Sequence, residues 1–205
     1  MKFKNLFFIL AISIGIFSCG NDDNDSSFDA AKQALDDDVT LIKYLQTHYL
    51  NEADGGLRTI KNRETPLMDQ VDSQNITKND ISYKLYFLKQ NEGVTIFPSK
   101  TDSVLVTYTG MLLDSTVFDF NSRLTWLPLT RVIDGWSYGF TNFKGGTKIV
   151  KDDESFYYEN AGKGILFIPS GLAYGNIGSS DGTIVKNTPL IFEITLNDVK
   201  IVAVE

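Results

Sequence analysis

Hydrophobic and polar positions alternate most plainly near the end of the chain. Leu190, Phe192, Ile194 and Leu196 fall on one side of an extended segment, and Glu193, Thr195 and Asn197 on the other. That period of two predicts a strand in an antiparallel sheet with one wet face. The same alternation predicts strands over residues 81–88, where Tyr83, Leu85 and Phe87 oppose Ser82, Lys84 and Tyr86, and over 104–109, where Val104, Val106 and Tyr108 align. Residues 117–120 and 124–129 read as shorter extended pieces beyond a turn at Ser115 and Thr116, and 165–168 as a buried strand stopped by Pro169. Residues 144–164 suit a hairpin with a charged tip at 151–154, and 170–188 a glycine-rich loop.

The period changes over residues 132–143, where Ile133, Trp136, Phe140 and Phe143 recur at helical spacing. Gly135 and Gly139 each cost this short helix about 1 kcal/mol of propensity. It therefore needs a surface to lie on, and glycine lets that surface approach. A twisted antiparallel sheet wrapped about this helix, with Trp136 between them, satisfies the pattern. So does an ordinary amphipathic helix with Trp136 as plain core. The longest helical candidate is 28–50, with Leu35, Val39, Ile42, Leu45 and Tyr49 as its stripe, Asp36 to Asp38 favouring its start and Gly55-Gly56 closing it. The stripe suits dimerisation or docking onto the following domain equally. His48, a lone histidine near the helix end, reads as a surface or cap residue, and 57–80 as a long connection.

Ahead of this helix, residues 1–18 hold Lys2, Lys4 and an apolar run of about a dozen residues, where a membrane span needs about 20. This predicts a signal segment. Its end, Ile16-Phe17-Ser18-Cys19, resembles a bacterial lipoprotein signal with Cys19 as the acylated residue; cleavage by the general signal peptidase is the alternative. Residues 19–27 form an acidic tether, which resembles the surface-export signal of some Gram-negative lipoproteins. The expected organisation is then 1–18 signal, 19–27 tether, 28–80 helical extension and connection, and 81–205 the main domain. A net charge of −7 over 205 residues, without a basic stripe, argues against nucleic acid as a partner. One Cys and one His exclude a zinc cluster, a His-based triad and an intrachain disulfide within the chain.

No phosphate-cradling glycine loop, metal-ligand spacing or nucleophile elbow is present. Aromatic residues instead flank the turns: Tyr108, Phe118, Trp136, Tyr174 and Phe192, with Asp119 the only acidic residue closely framed by rings. Spacing alone does not decide between core and pocket.

An ordered set of short motifs does. Val106-Thr107-Tyr108-Thr109-Gly110 resembles the tyrosine-threonine-glycine strand of FKBP-type peptidyl-prolyl isomerases. Phe118-Asp119, Val132-Ile133-Asp134-Gly135-Trp136, Ile168-Pro169 with Ala173-Tyr174-Gly175, and Leu190-Ile191-Phe192-Glu193-Ile194 resemble further family motifs in family order. The resemblance covers about half of the chain, from near Ile81 to Val199. It implies an α+β fold in which a five-stranded antiparallel sheet wraps around one short helix, here with an amino-terminal helical extension. It also implies an apolar pocket for a prolyl side chain. Trp136 would be its floor, Tyr108, Phe118 and Phe192 its walls, and Val132 and Ile133 its mouth. The Ile133 N–H would meet a substrate carbonyl, the Tyr174 hydroxyl the peptide, and Asp119 the region of the reacting amide. Tyr108, Asp119 and Tyr174 are thus the candidate catalytic residues. No metal or cofactor is needed, because prolyl isomerisation breaks no bond.

Three departures stand out. Ile184-Val185-Lys186 replaces the family's Ile-Pro-Pro, so the loop loses proline stiffness while Ile184 keeps a pocket contact. Residues 147–164 exceed the minimal pattern, and Phe120-Asn121 replaces small polar residues. The expected function is a lipid-anchored isomerase of the bacterial cell envelope, on the outer membrane and facing periplasm or cell surface, acting on proline-containing exported polypeptides. A non-catalytic chaperone or interaction module on the same fold is the alternative.

Overall fold

A computed structural model describes residues 28–202; the signal segment and the acidic tether with Cys19 lie outside the described residues. Helix α1 (Ala30–Thr47) begins where the Asp29 carboxylate accepts the Lys32 N–H at 2.9 Å. A small hairpin of β1 (His48–Leu50) and β2 (Leu57–Thr59) follows. Next come β3 (Asp72–Lys78), β4 (Ile81–Asn91), β5 (Ser103–Met111), β6 (Val117–Pro128) and the short helix α2 (Asp134–Gly139). A second hairpin pairs β7 (Thr147–Val150) with β8 (Phe156–Glu159), and β9 (Gly162–Ile168) and β10 (Leu190–Lys200) complete the chain.

Six strands form one antiparallel sheet in the order β3-β4-β9-β10-β5-β6. Its concave side holds Leu166, Ile168, Leu190, Phe192, Ile194 and Leu196 against Trp136, Phe140 and Phe143 of α2 and the turn after it. The two glycines of α2 lie where the expectation put them. A Cβ on Gly135 would stand 2.3 Å from Ile168, and one on Gly139 2.6 Å from Leu166. The helix can therefore touch β9 only because those side chains are missing.

The other side of the sheet is not simply wet. Ile165, Phe167 and Ile191, with Tyr86 and Leu88, pack under Leu41, Tyr44 and Leu45 of α1. Burial on both faces explains why β9 reads as an unbroken apolar run rather than an alternation. The sheet also has six strands rather than five. The addition is β3, in which Ile76 alone is buried, so its polar sequence carries no visible period.

Helix α1 differs from expectation in cap, end and face. It is capped by Asp29 rather than started at Asp36 to Asp38, and it stops at Thr47, with His48 as C-cap. Gly55-Gly56 belongs to the β1–β2 turn instead. The buried face is Ala34, Asp37, Leu41, Tyr44 and Leu45, about one residue out of phase with the predicted stripe. Leu35 and Val39 are 68% and 67% exposed. Hydrophobicity misplaced the face because a small residue, Ala34, and a hydrogen-bonded acid, Asp37, fill two of its positions.

Candidate active site

Strand β5 alternates, so Val104, Val106 and Tyr108 point to the concave side. In the neighbouring strand Asp119 pairs with Gly110, and the Tyr108 hydroxyl donates to Asp119 Oδ2 at 2.9 Å. Trp136, in the first turn of α2 and 4% exposed, meets these strands edge-on. Its ring lies 4.8 Å from Tyr108 at 82° and 5.1 Å from Phe192 at 86°. Phe118 stands edge-on to Phe192 at 5.5 Å. Such T-shaped contacts set the positive edge of one ring against the negative face of the next.

These rings bound a cleft of about 430 Å³ whose lining includes Tyr108, Asp119, Val132, Ile133, Trp136, Tyr174 and Phe192. Seven of the nine residues expected at a pocket are thus brought together. Phe118 touches Phe192 edge-on but is not in the lining. Ile184 does not line the cleft: it is buried in the core. Its loop closes on itself, with Ser179 N–H donating to the Ile184 carbonyl at 2.8 Å and Ile184 N–H to Ser179 Oγ at 2.9 Å. Two lining residues went unpredicted, Leu127 and Arg131. Leu127 could have been found from its register opposite Val104; Arg131 carries no signal beyond its place beside Val132.

The polar groups sit at the rim. Burial, and then the hydrogen bond to Asp119, pushes the Tyr108 phenol up to about 12, so it remains a donor at neutral pH. Tyr174 is raised as well, by burial first and then by the charges of Asp119 and Asp181. Ile133 precedes the first turn of α2, a place where a backbone N–H has no intrahelical acceptor. At the floor, Trp136 Nε1 is buried with no hydrogen-bond partner among the described residues. The cleft therefore combines an apolar aromatic base with hydroxyl, carboxylate and amide groups at its edge, and Arg131 beside them.

Tyr174 also borders a second hollow of about 270 Å³, shared with Phe28, Gln33, Lys78, Ser170 and Asn176. The loop that carries Tyr174 thus lies between the cleft and the start of α1.

Residues 94–197 match the family model described as FKBP-type peptidyl-prolyl cis-trans isomerase. The chain is 36% identical over 128 residues to a protein of Neisseria meningitidis named a probable FKBP-type peptidyl-prolyl cis-trans isomerase FkpA, covering 61% of this chain and 40% of that one. It is 31% identical over 128 residues to the outer membrane protein MIP of Legionella longbeachae, covering 61% and 46%. It thus spans less than half the length of either relative. The crystal structure of FkpA from Escherichia coli shares the fold, with a TM-score of 0.51 at 24% identity over 83% of this chain and 61% of that one. With half of its residues inside the family model and the family's antiparallel sheet curled about a short helix, this chain belongs to the FKBP-type peptidyl-prolyl cis-trans isomerase family.

Proposed function

We propose that this protein is a peptidyl-prolyl cis-trans isomerase of the bacterial cell envelope, acting on proline-containing stretches of exported polypeptides and anchored through lipidated Cys19. The observation that carries the reading is the Tyr108–Asp119 hydrogen bond at the rim of an aromatic cleft floored by Trp136. The X–Pro bond is stiff because its nitrogen shares charge with the carbonyl oxygen, giving a barrier of about 18–20 kcal/mol. In the twisted transition state that charge separation shrinks. A dry ring-lined cleft favours the twisted amide over the planar one, which is differential binding of the transition state. Trp136, Tyr108 and Phe192 exclude water from the prolyl ring. The Ile133 N–H and the Tyr174 hydroxyl hold the flanking carbonyls, and Asp119 accepts near the reacting amide. A ten-thousand-fold acceleration asks for about 5.5 kcal/mol, within reach of several such contacts.

The test is a proline-peptide isomerisation assay on protein lacking residues 1–27. Tyr108→Phe and Asp119→Ala should each lower kcat/KM by about tenfold or more, the loss of one charge-assisted hydrogen bond, in protein that still unfolds cooperatively. Wild-type rates from both variants would remove these residues from the mechanism, and no turnover by the parent would remove the enzyme reading.

A second reading, a chaperone or interaction module with little turnover, is favoured by the β7–β8 hairpin, where Val150, Phe156 and Tyr157 are exposed. Suppression of client aggregation without isomerisation would select it. A homodimer through α1 would use Leu35 and Val39, which leave an apolar edge uncovered.

A further inference from the structure

Asp37 is an acid inside a protein–protein packing surface within one chain. It is buried in α1, yet among the described residues it pairs with no cation. Its Oδ2 accepts both the Ser170 N–H at 2.7 Å and the Ser170 hydroxyl at 2.6 Å, and its Oδ1 accepts Gln33 Nε2 at 2.8 Å. Ser170 is itself buried, at the first position of the turn Ser170–Leu172. Its carbonyl accepts the N–H groups of Ala173 at 2.9 Å and Gly175 at 2.8 Å, the two residues that flank Tyr174. The chain of bonds therefore runs from the helix carboxylate to one serine, and from that serine to both neighbours of a tyrosine on the cleft. The same loop is gripped twice more from outside the family-matched span. Lys78 Nζ donates to the Gly171 carbonyl at 3.3 Å while paired with Asp134 of α2 at 2.5 Å, and the Tyr83 ring leaves no room for a side chain at Gly171.

We infer that Asp37 is a positioning residue for the reaction: through Ser170 it fixes the loop that presents Tyr174 to the cleft, making the amino-terminal helix part of the active site. This rests on the isomerase reading for the role of Tyr174, but the clamp itself does not. A helix that merely shields the back of the sheet requires apolar residues there. A buried carboxylate with two of its three hydrogen bonds on Ser170 is costly to desolvate and is directional, which suits holding one loop in one place.

The experiment compares Asp37→Ala, the conservative Asp37→Asn and Tyr174→Ala in the full chain, singly and combined. Asp37→Ala should cut kcat/KM about tenfold by misplacing a substrate contact, and Asp37→Asn, which keeps an acceptor oxygen, should recover most of it. In the Tyr174→Ala background Asp37→Ala should cost less than about twofold, because its effect passes through Tyr174. Hydrogen exchange read at the Ala173 and Gly175 amides should quicken in Asp37→Ala while that of β9 and β10 stays slow. Equal losses in both backgrounds, or unchanged exchange at those two amides, overturns the inference. Should Asp37→Ala fail to fold, Ser170→Ala removes only the hydroxyl contact and is read the same way. No turnover by the parent, with exchange at Ala173 and Gly175 still released, overturns the isomerase reading and upholds the clamp.

Discussion

The Tyr108 hydroxyl is half-buried among rings and donates to Asp119, so losing its proton would break a hydrogen bond and set a second negative charge beside the carboxylate. A phenol raised from 10.0 to about 12 in the folded protein holds its proton more tightly there than in the unfolded chain. Its contribution to stability is then complete below pH 10 and is lost as the pH rises towards about 12. Denaturant unfolding of wild type and Tyr108→Phe should show a constant difference up to pH 10 that shrinks above it; a difference that grows instead would place the hydroxyl elsewhere. At this scale the sequence was readable wherever a residue's place is set by its own short motif, as for Tyr108, Asp119, Trp136 and Tyr174, which line one cleft. Ile184 sits in the core rather than in the cleft lining, a placement that depends on Ser179, five positions away, folding back to bond with it. Asp37 was read as a helix-start charge because the partner that gives it meaning, Ser170, lies 133 residues away.

Among elements, α2 shows how a weak helix is used. Its glycines lower its propensity, but they admit Ile168 and Leu166 to within side-chain contact of the helix backbone, and that contact sets the depth of Trp136. Gly135→Ala, a gain in intrinsic propensity, should therefore destabilise the fold by about 1–3 kcal/mol through overpacking. Chemical denaturation measures it, and an unchanged midpoint would mean that β9 does not press on the helix. The clean alternation of β5 and β10 made them legible, and the hairpin at residues 144–164 was legible from its charged tip; it is fixed by Tyr158 donating to Asp198 at 3.0 Å. β3 was not legible, since a polar strand joined along one edge buries a single side chain, Ile76. The phase of α1 was not legible either, because what it packs against is decided by the sheet and not by its own composition.

For the whole molecule, the covered back of the sheet matters as much as the cleft. Helix α1 shields the β4, β9 and β10 side chains that a bare sheet would expose, and its start borders the hollow beside Tyr174. Cys19→Ala should move the protein from the membrane fraction to the soluble fraction of cells without altering isomerase turnover. Retention in the membrane fraction would exclude Cys19 as the anchor point. Phe28 borders the hollow that Tyr174 also borders, and it lies nine positions after Cys19. A fully stretched chain of that length reaches about 30 Å. A lipid on Cys19 would keep Phe28 within that radius of the bilayer, so the proposed isomerase would patrol a thin shell over the lipid headgroups and meet polypeptides as they emerge rather than after they have diffused away.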